Sequence, residues 1–82
     1  MFVIKRERTG MILTTNFDHE VTKMSEFRTK TAASKELASR KKAQAENYGD
    51  TAKFVSSSDD EFTVEVNDIN YHVTERFYIE KE

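Results

Sequence analysis

Apolar and polar residues alternate most cleanly near the C-terminus of the chain. Phe62, Val64 and Val66 alternate with Thr63 and Glu65, and after Asn67–Asn70 the alternation resumes at Tyr71 and Val73. A period of two is the mark of a half-buried strand, so this stretch predicts a β-hairpin. Placing Val66 opposite Tyr71 sets Val64 opposite Val73 on one face, and each such apolar pair is worth roughly 0.2–1 kcal/mol over alanine. Phe77 and Ile79 keep the same parity, so the last strand is expected to run to about Glu80.

A second alternating stretch opens the chain. Phe2–Arg8 and Met11–Thr15 flank Thr9-Gly10, which reads as a two-residue hairpin turn. With Arg8 paired to Met11, Ile4 lies opposite Thr15 and Phe2 opposite Phe17. One face then collects Phe2, Ile4, Met11, Leu13 and Phe17, with Arg6 and Arg8 at its outer end. Residues 16–27 carry two patterns. Val21, Met24 and Phe27 recur at a spacing of three, with Asp18 as a cap for a short helical turn, yet a third strand through Glu20–Met24 fits as well. In both readings these three apolar residues tuck under the helix that follows.

That helix spans Thr29–Tyr48. Alanine, leucine, lysine, arginine, glutamine and glutamate dominate it, Thr29 or Thr31 stands at the N-cap, and Gly49 at the C-terminal cap. Its inward stripe is thin: Ala33, Leu37, Gln44 and Tyr48, with Ala38, Lys41 and Ala45 beside it. Leu37 and Tyr48 are its only bulky members. The core must therefore come from the strands, chiefly Phe2, Ile4, Leu13, Val64, Val66, Val73 and Phe77, with Phe27 at the helix entrance. Beyond Gly49, Ala52–Ser56 reads as a short strand and Ser56–Glu61 as a mobile polar loop. The expected fold is α+β, one long helix packed on a 4–5-stranded antiparallel sheet, in the order β-β-(short turn or strand)-α-β-β-β.

Size and composition narrow the function more than the fold. The 82 residues imply a single domain, 1–82, with a modest core. There is no cysteine, which removes disulfides and thiolate metal sites and fits a reducing, cytoplasmic setting. No apolar run approaches the ~20 residues that span a bilayer, so no membrane contact is expected. His19 and His72 stand alone, without further ligands at metal-binding spacing. Asp59, Asp60 and Glu61 are adjacent rather than alternating, so they do not read as a calcium loop but as a solvated one, or as an acidic finger for a basic protein groove. Gly10 and Gly49 are isolated, and no Gly-x-Ser-x-Gly elbow occurs. Neither a cofactor nor a catalytic set is expected, and the chain does not read as an enzyme.

Charge supplies the remaining candidates. Residues 1–45 carry ten Lys/Arg and five Asp/Glu, whereas residues 46–82 carry three and ten. Opposite-sign halves either attract each other or form a bipolar surface for charged partners. The basic set Arg28, Lys30, Lys35, Arg40, Lys41 and Lys42 faces a single acid, Glu36, within residues 28–42. Such a helix face meets phosphates in a salt-dependent way, although no aromatic residues are interleaved to stack bases.

The run Phe27-Arg-Thr-Lys-Thr-Ala-Ala-Ser-Lys-Glu-Leu-Ala38, placed after a Val-Ile-Lys strand and a glycine, resembles small phage and prophage proteins. In these a hairpin leads through Phe-x-Thr-Lys into an alanine-rich helix, with strands beyond. The resemblance implies a host-takeover or anti-defence role, as in small anti-CRISPR proteins, which bind a host protein and block its surface. A protein partner is thus the leading expectation, with Arg28, Lys30, Lys35, Arg40, Lys41, Lys42, Asp59, Asp60 and Glu61 as the residues to meet it. A nucleic-acid accessory using the basic helix is the first alternative, and a structural subunit joined through a sheet edge the second.

Overall fold

The computed structural model of the chain describes the backbone of all 82 residues and the side chains of all but residues 17 and 18. Five strands, β1 (Phe2–Ile12), β2 (Thr15–Phe27), β3 (Ala52–Ser57), β4 (Glu61–Asp68) and β5 (Tyr71–Lys81), form one antiparallel sheet in the order β2-β1-β5-β4-β3. A single helix, α1 (Lys30–Tyr48), packs on one face, and a 3-10 turn (Gly49–Thr51) returns the chain to β3. The fold is α+β.

The helix follows its sequence closely. Thr29 has extended backbone and its hydroxyl accepts from the Ala32 amide at 3.2 Å, which satisfies one of the unpaired amides of the first turn. Gly49 ends the helix at φ 54°, a conformation that costs glycine nothing, and its amide returns to the Ala45 carbonyl. Ala33 and Leu37 are its buried residues. The large side chains beneath come from the sheet: Ile4, Phe62, Val64, Val66 and Phe77, with Met24, Phe27, Tyr48, Phe54 and Ile79 at the margin. Phe62 and Phe77 stack at 4.8 Å between ring centroids.

The N-terminal hairpin differs from its expected form. Thr9-Gly10 is not a turn; β1 runs on to Ile12, and the reversal falls at Leu13-Thr14. Phe2 therefore pairs with Phe27, Ile4 with Ser25 and Arg8 with Glu20. Gly10 is needed for another reason. A Cβ there would lie 2.1 Å from the His72 carbonyl oxygen, so the glycine lets β5 approach β1. For residues 16–27 the strand alternative holds: Glu20–Met24 lie within the longer β2, which excludes a helical turn capped by Asp18. A bulge between Ile4 and Lys5 leaves Met24 as the extra residue on β2, and Met24 joins the core margin. Val21 does not tuck under the helix and is exposed, as is Leu13. The side chain of Phe17, expected on the apolar face, lies outside the described residues.

In the C-terminal hairpin the two apolar faces are as expected but the register moves by two. The turn is Ile69-Asn70, so Val66 pairs with Val73, Val64 with Glu75 and Phe62 with Phe77. The expected mobile loop at residues 56–61 is a tight connection. Ser56 and Ser57 belong to β3, Glu61 opens β4, and the Ser58 hydroxyl accepts from the amides of Asp60 and Glu61 at 3.2 Å each.

Candidate functional site

The basic and acidic residues singled out from the sequence are dispersed by the fold. Lys30, at the helix start, meets Asp60 of the β3–β4 turn at 3.1 Å. Arg40 points toward the sheet, where it donates to the Ser25 hydroxyl at 2.9 Å and lies 3.4 Å from Glu36. Lys41 donates to Ser57 at 2.6 Å and sits over the Phe54 ring. Glu61 leaves the acidic run altogether: it binds Arg76 at 2.6 Å, and that contact, with a smaller share from Ser56, holds its carboxyl below the usual range. Arg28, Lys35 and Lys42 remain on the outer surface, with Asp59 at the turn. Of the nine residues, Lys30, Asp59 and Asp60 line one open hollow beside the helix start and Lys41 and Asp59 line another, whereas Arg28, Lys35, Arg40, Lys42 and Glu61 line neither.

A polar seam centred on Glu75 lies on the helix-bearing face. Arg6 and Arg8 share the parity of Ile4, and on β5 Glu75 shares that of Val73 and Phe77. Glu75 is only 2% exposed. Arg6 lies 3.8 Å from Glu75 and 3.7 Å from Glu20, while Arg8 reaches Glu20 at 3.2 Å. Burial pushes the Glu75 carboxyl above its ordinary range, and the charges of Arg6 and Arg8 only partly oppose this. Tyr71 continues the seam toward the helix end. Its hydroxyl stands 3.4 Å from that of Tyr48, and burial, followed by this hydrogen bond, raises its pKa. The signal that could have exposed the seam is parity: a carboxylate at an inward strand position opposite an arginine is a pair, not a surface charge.

The end of the sheet beyond this seam is apolar and open. The turns Leu13-Thr14 and Ile69-Asn70 stand side by side, joined by a hydrogen bond from the Leu13 amide to the Asn70 carbonyl at 2.7 Å. Leu13 is 65% exposed, Ile69 88% and Met11 38%. Between the turns lies an open hollow of ≈ 350 Å³ lined by Ile12, Leu13, Asp68, Ile69, Asn70 and Tyr71. Leu13 holds φ 56°, and Thr14 beside it has a negative φ. A positive φ at the first position of a two-residue turn favours glycine. A leucine there carries backbone strain of about 1 kcal/mol or more while its side chain stays in water.

Tyr48 and Gly49, at the helix C-terminus, reach the same end through the Tyr48–Tyr71 ring contact at 5.9 Å. The sequence contains no Lys or Arg in residues 9–19, 43–52 or 66–75, the three stretches that build this end. Comparison of the chain with protein-family models, curated proteins and solved structures returns no match. No helix among the described residues is long and apolar enough to cross a membrane.

Proposed function

We propose that the chain is a non-enzymatic binding protein that occludes a surface of another protein, of the host or defence kind implied by its resemblance to phage proteins. The single observation that supports this reading is the open apolar end. Leu13 and Ile69 are large, exposed and adjacent, and Leu13 occupies a position that local backbone preference would give to glycine. Strain retained without any gain in packing points to a use outside the fold. Exposed apolar groups around a hollow are the common anatomy of protein-binding surfaces.

The two alternatives draw less support. Half of the basic helix set, Lys30, Arg40 and Lys41, is engaged within the chain, which reduces the charge left for phosphates. The long β2 edge bears exposed His19, Lys23 and Glu26, and such charges blunt strand-to-strand assembly. The test is capture from bacterial lysate by the wild type and by Leu13→Ser/Ile69→Ser. Recovery of one stoichiometric protein partner by the wild type, and its loss with the variant, is the expected result. Recovery of none, or of a partner indifferent to the variant, counts against the reading. A gel shift at low salt that Lys41→Glu/Lys42→Glu abolishes would favour nucleic acid instead.

A further inference from the structure

The proposed binding role leaves the partner's chemistry open, and the charges around the apolar end constrain it. We infer that the hollow between the two turns takes a cationic amphipathic protein segment, which seats apolar side chains between Leu13 and Ile69 and sets Lys or Arg over an acidic rim. This inference rests on the reading of the chain as a protein-binding module.

Three observations carry it. Much of the lining of the hollow is apolar (Ile12, Leu13, Ile69 and the Tyr71 ring), and its volume of ≈ 350 Å³ has room for a few aliphatic side chains. Its charge is acidic on balance. Asp68 is the charged residue that lines the hollow, Glu46 and Asp50 stand at the helix C-terminus toward the same end, residues 9–19, 43–52 and 66–75 hold no Lys or Arg, and the one cation whose charge reaches Tyr71, Arg8, is paired with Glu20. The helix adds to that field, because α1 points its carbonyl end here and the negative pole of its dipole with it. The same charge distribution argues against an anionic membrane or nucleic acid as occupant, since both require cations around the apolar group.

The hollow is also held in shape. The bond from the Leu13 amide to the Asn70 carbonyl ties the two turns, and the Asp68 carboxylate caps the Ile69 amide at 2.8 Å. A site fixed before binding loses less entropy when it is filled.

The test follows amide shifts of the isotope-labelled protein during titration with three probes: an amphipathic Leu/Lys peptide, a Leu/Glu peptide of equal length, and vesicles containing phosphatidylglycerol. The expected result is saturable shifts confined to Met11–Thr14 and Asp68–Tyr71 with the Leu/Lys peptide, weakening as salt is raised. Leu13→Ser or Ile69→Ser removes a buried aliphatic contact and should weaken binding about tenfold or more. Asp68→Asn should cut both affinity and salt dependence. The spectrum of each free variant shows whether it remains folded, and the Asp68→Asn arm keeps the test decisive should a turn variant not fold. Equal or tighter binding of the Leu/Glu peptide, shifts mapping to the basic helix face, binding of vesicles alone, or no binding would each overturn the inference. If lysate capture still depends on Leu13 and Ile69 in those cases, the binding role stands and only the partner chemistry falls.

Discussion

The molecule has two apolar regions built from similar residues with opposite fates. Beneath the helix, Ile4, Leu37, Phe62, Val64, Val66 and Phe77 are shut away from water. At the far end of the same sheet, Met11, Leu13 and Ile69 are left in it. Location in the chain makes the difference. The buried residues stand at alternating strand positions and one helical stripe, where the pleat and the helix turn them toward each other. Leu13 and Ile69 stand at the centres of two-residue turns, where no parity directs a side chain inward. Packing accounts for the first group and leaves the second unexplained, so binding is sought at the second.

Substitutions separate the two regions by size of effect. The largest belongs to the core: Phe77→Ala, which removes one of two stacked rings, should cost about 3–5 kcal/mol and lower the denaturant midpoint accordingly. An equal loss from Ile69→Ala would erase the distinction between the regions. Next comes Gly10→Ala, at the join between β1 and β5. Its new Cβ would overlap the His72 carbonyl at 2.1 Å, and a cost of about 2–3 kcal/mol is expected in the same unfolding measurement.

The polar seam between the regions should respond to pH. A carboxyl whose pKa is raised by folding binds its proton more tightly in the folded chain. The stability contributed by Glu75 is therefore complete below its ordinary value of 4.5 and is lost as pH rises through the raised one. Glu75→Gln should match the wild type at pH values below that range and exceed it progressively above. A variant less stable than the wild type above that range would instead show Arg6 and Arg8 to outweigh burial. The smallest effect is expected at the turn. Leu13→Gly relieves the positive φ and should change stability by no more than about 1 kcal/mol, upward if strain outweighs chain entropy, while removing the capture of a partner. Clear destabilisation would mean that Leu13 serves the fold.

Much of this architecture was legible before any coordinates. The helix was readable from its formers and caps, because Thr29 and Gly49 act on backbone groups only a few residues away. The C-terminal hairpin was readable from alternation, and its buried faces follow from a period that survives a shift of two residues. Its register was not, because Asn67–Asn70 offers a four-residue and a two-residue reversal, and cross-strand pairing decides between them.

The candidate site was far less visible. Basic residues that look continuous along 28–42 are separated by the helical turn and engaged by residues distant in sequence: Ser25 and Ser57 accept hydrogen bonds from Arg40 and Lys41, and Asp60 pairs with Lys30. The α+β class, the helix and its ends, and the parity that buries Phe62, Val64, Val66, Val73 and Phe77 follow from local sequence. Tertiary structure alone decided that Gly10 is a point of close strand approach, that Glu75 is buried beside Arg6, and that two turns 56 residues apart meet through Leu13 and Asn70. Local propensity and periodicity act over a few residues and can be read along the chain. Register, ion pairing and the meeting of turns depend on which strands become neighbours, and that is fixed only when the sheet closes in the order β2-β1-β5-β4-β3.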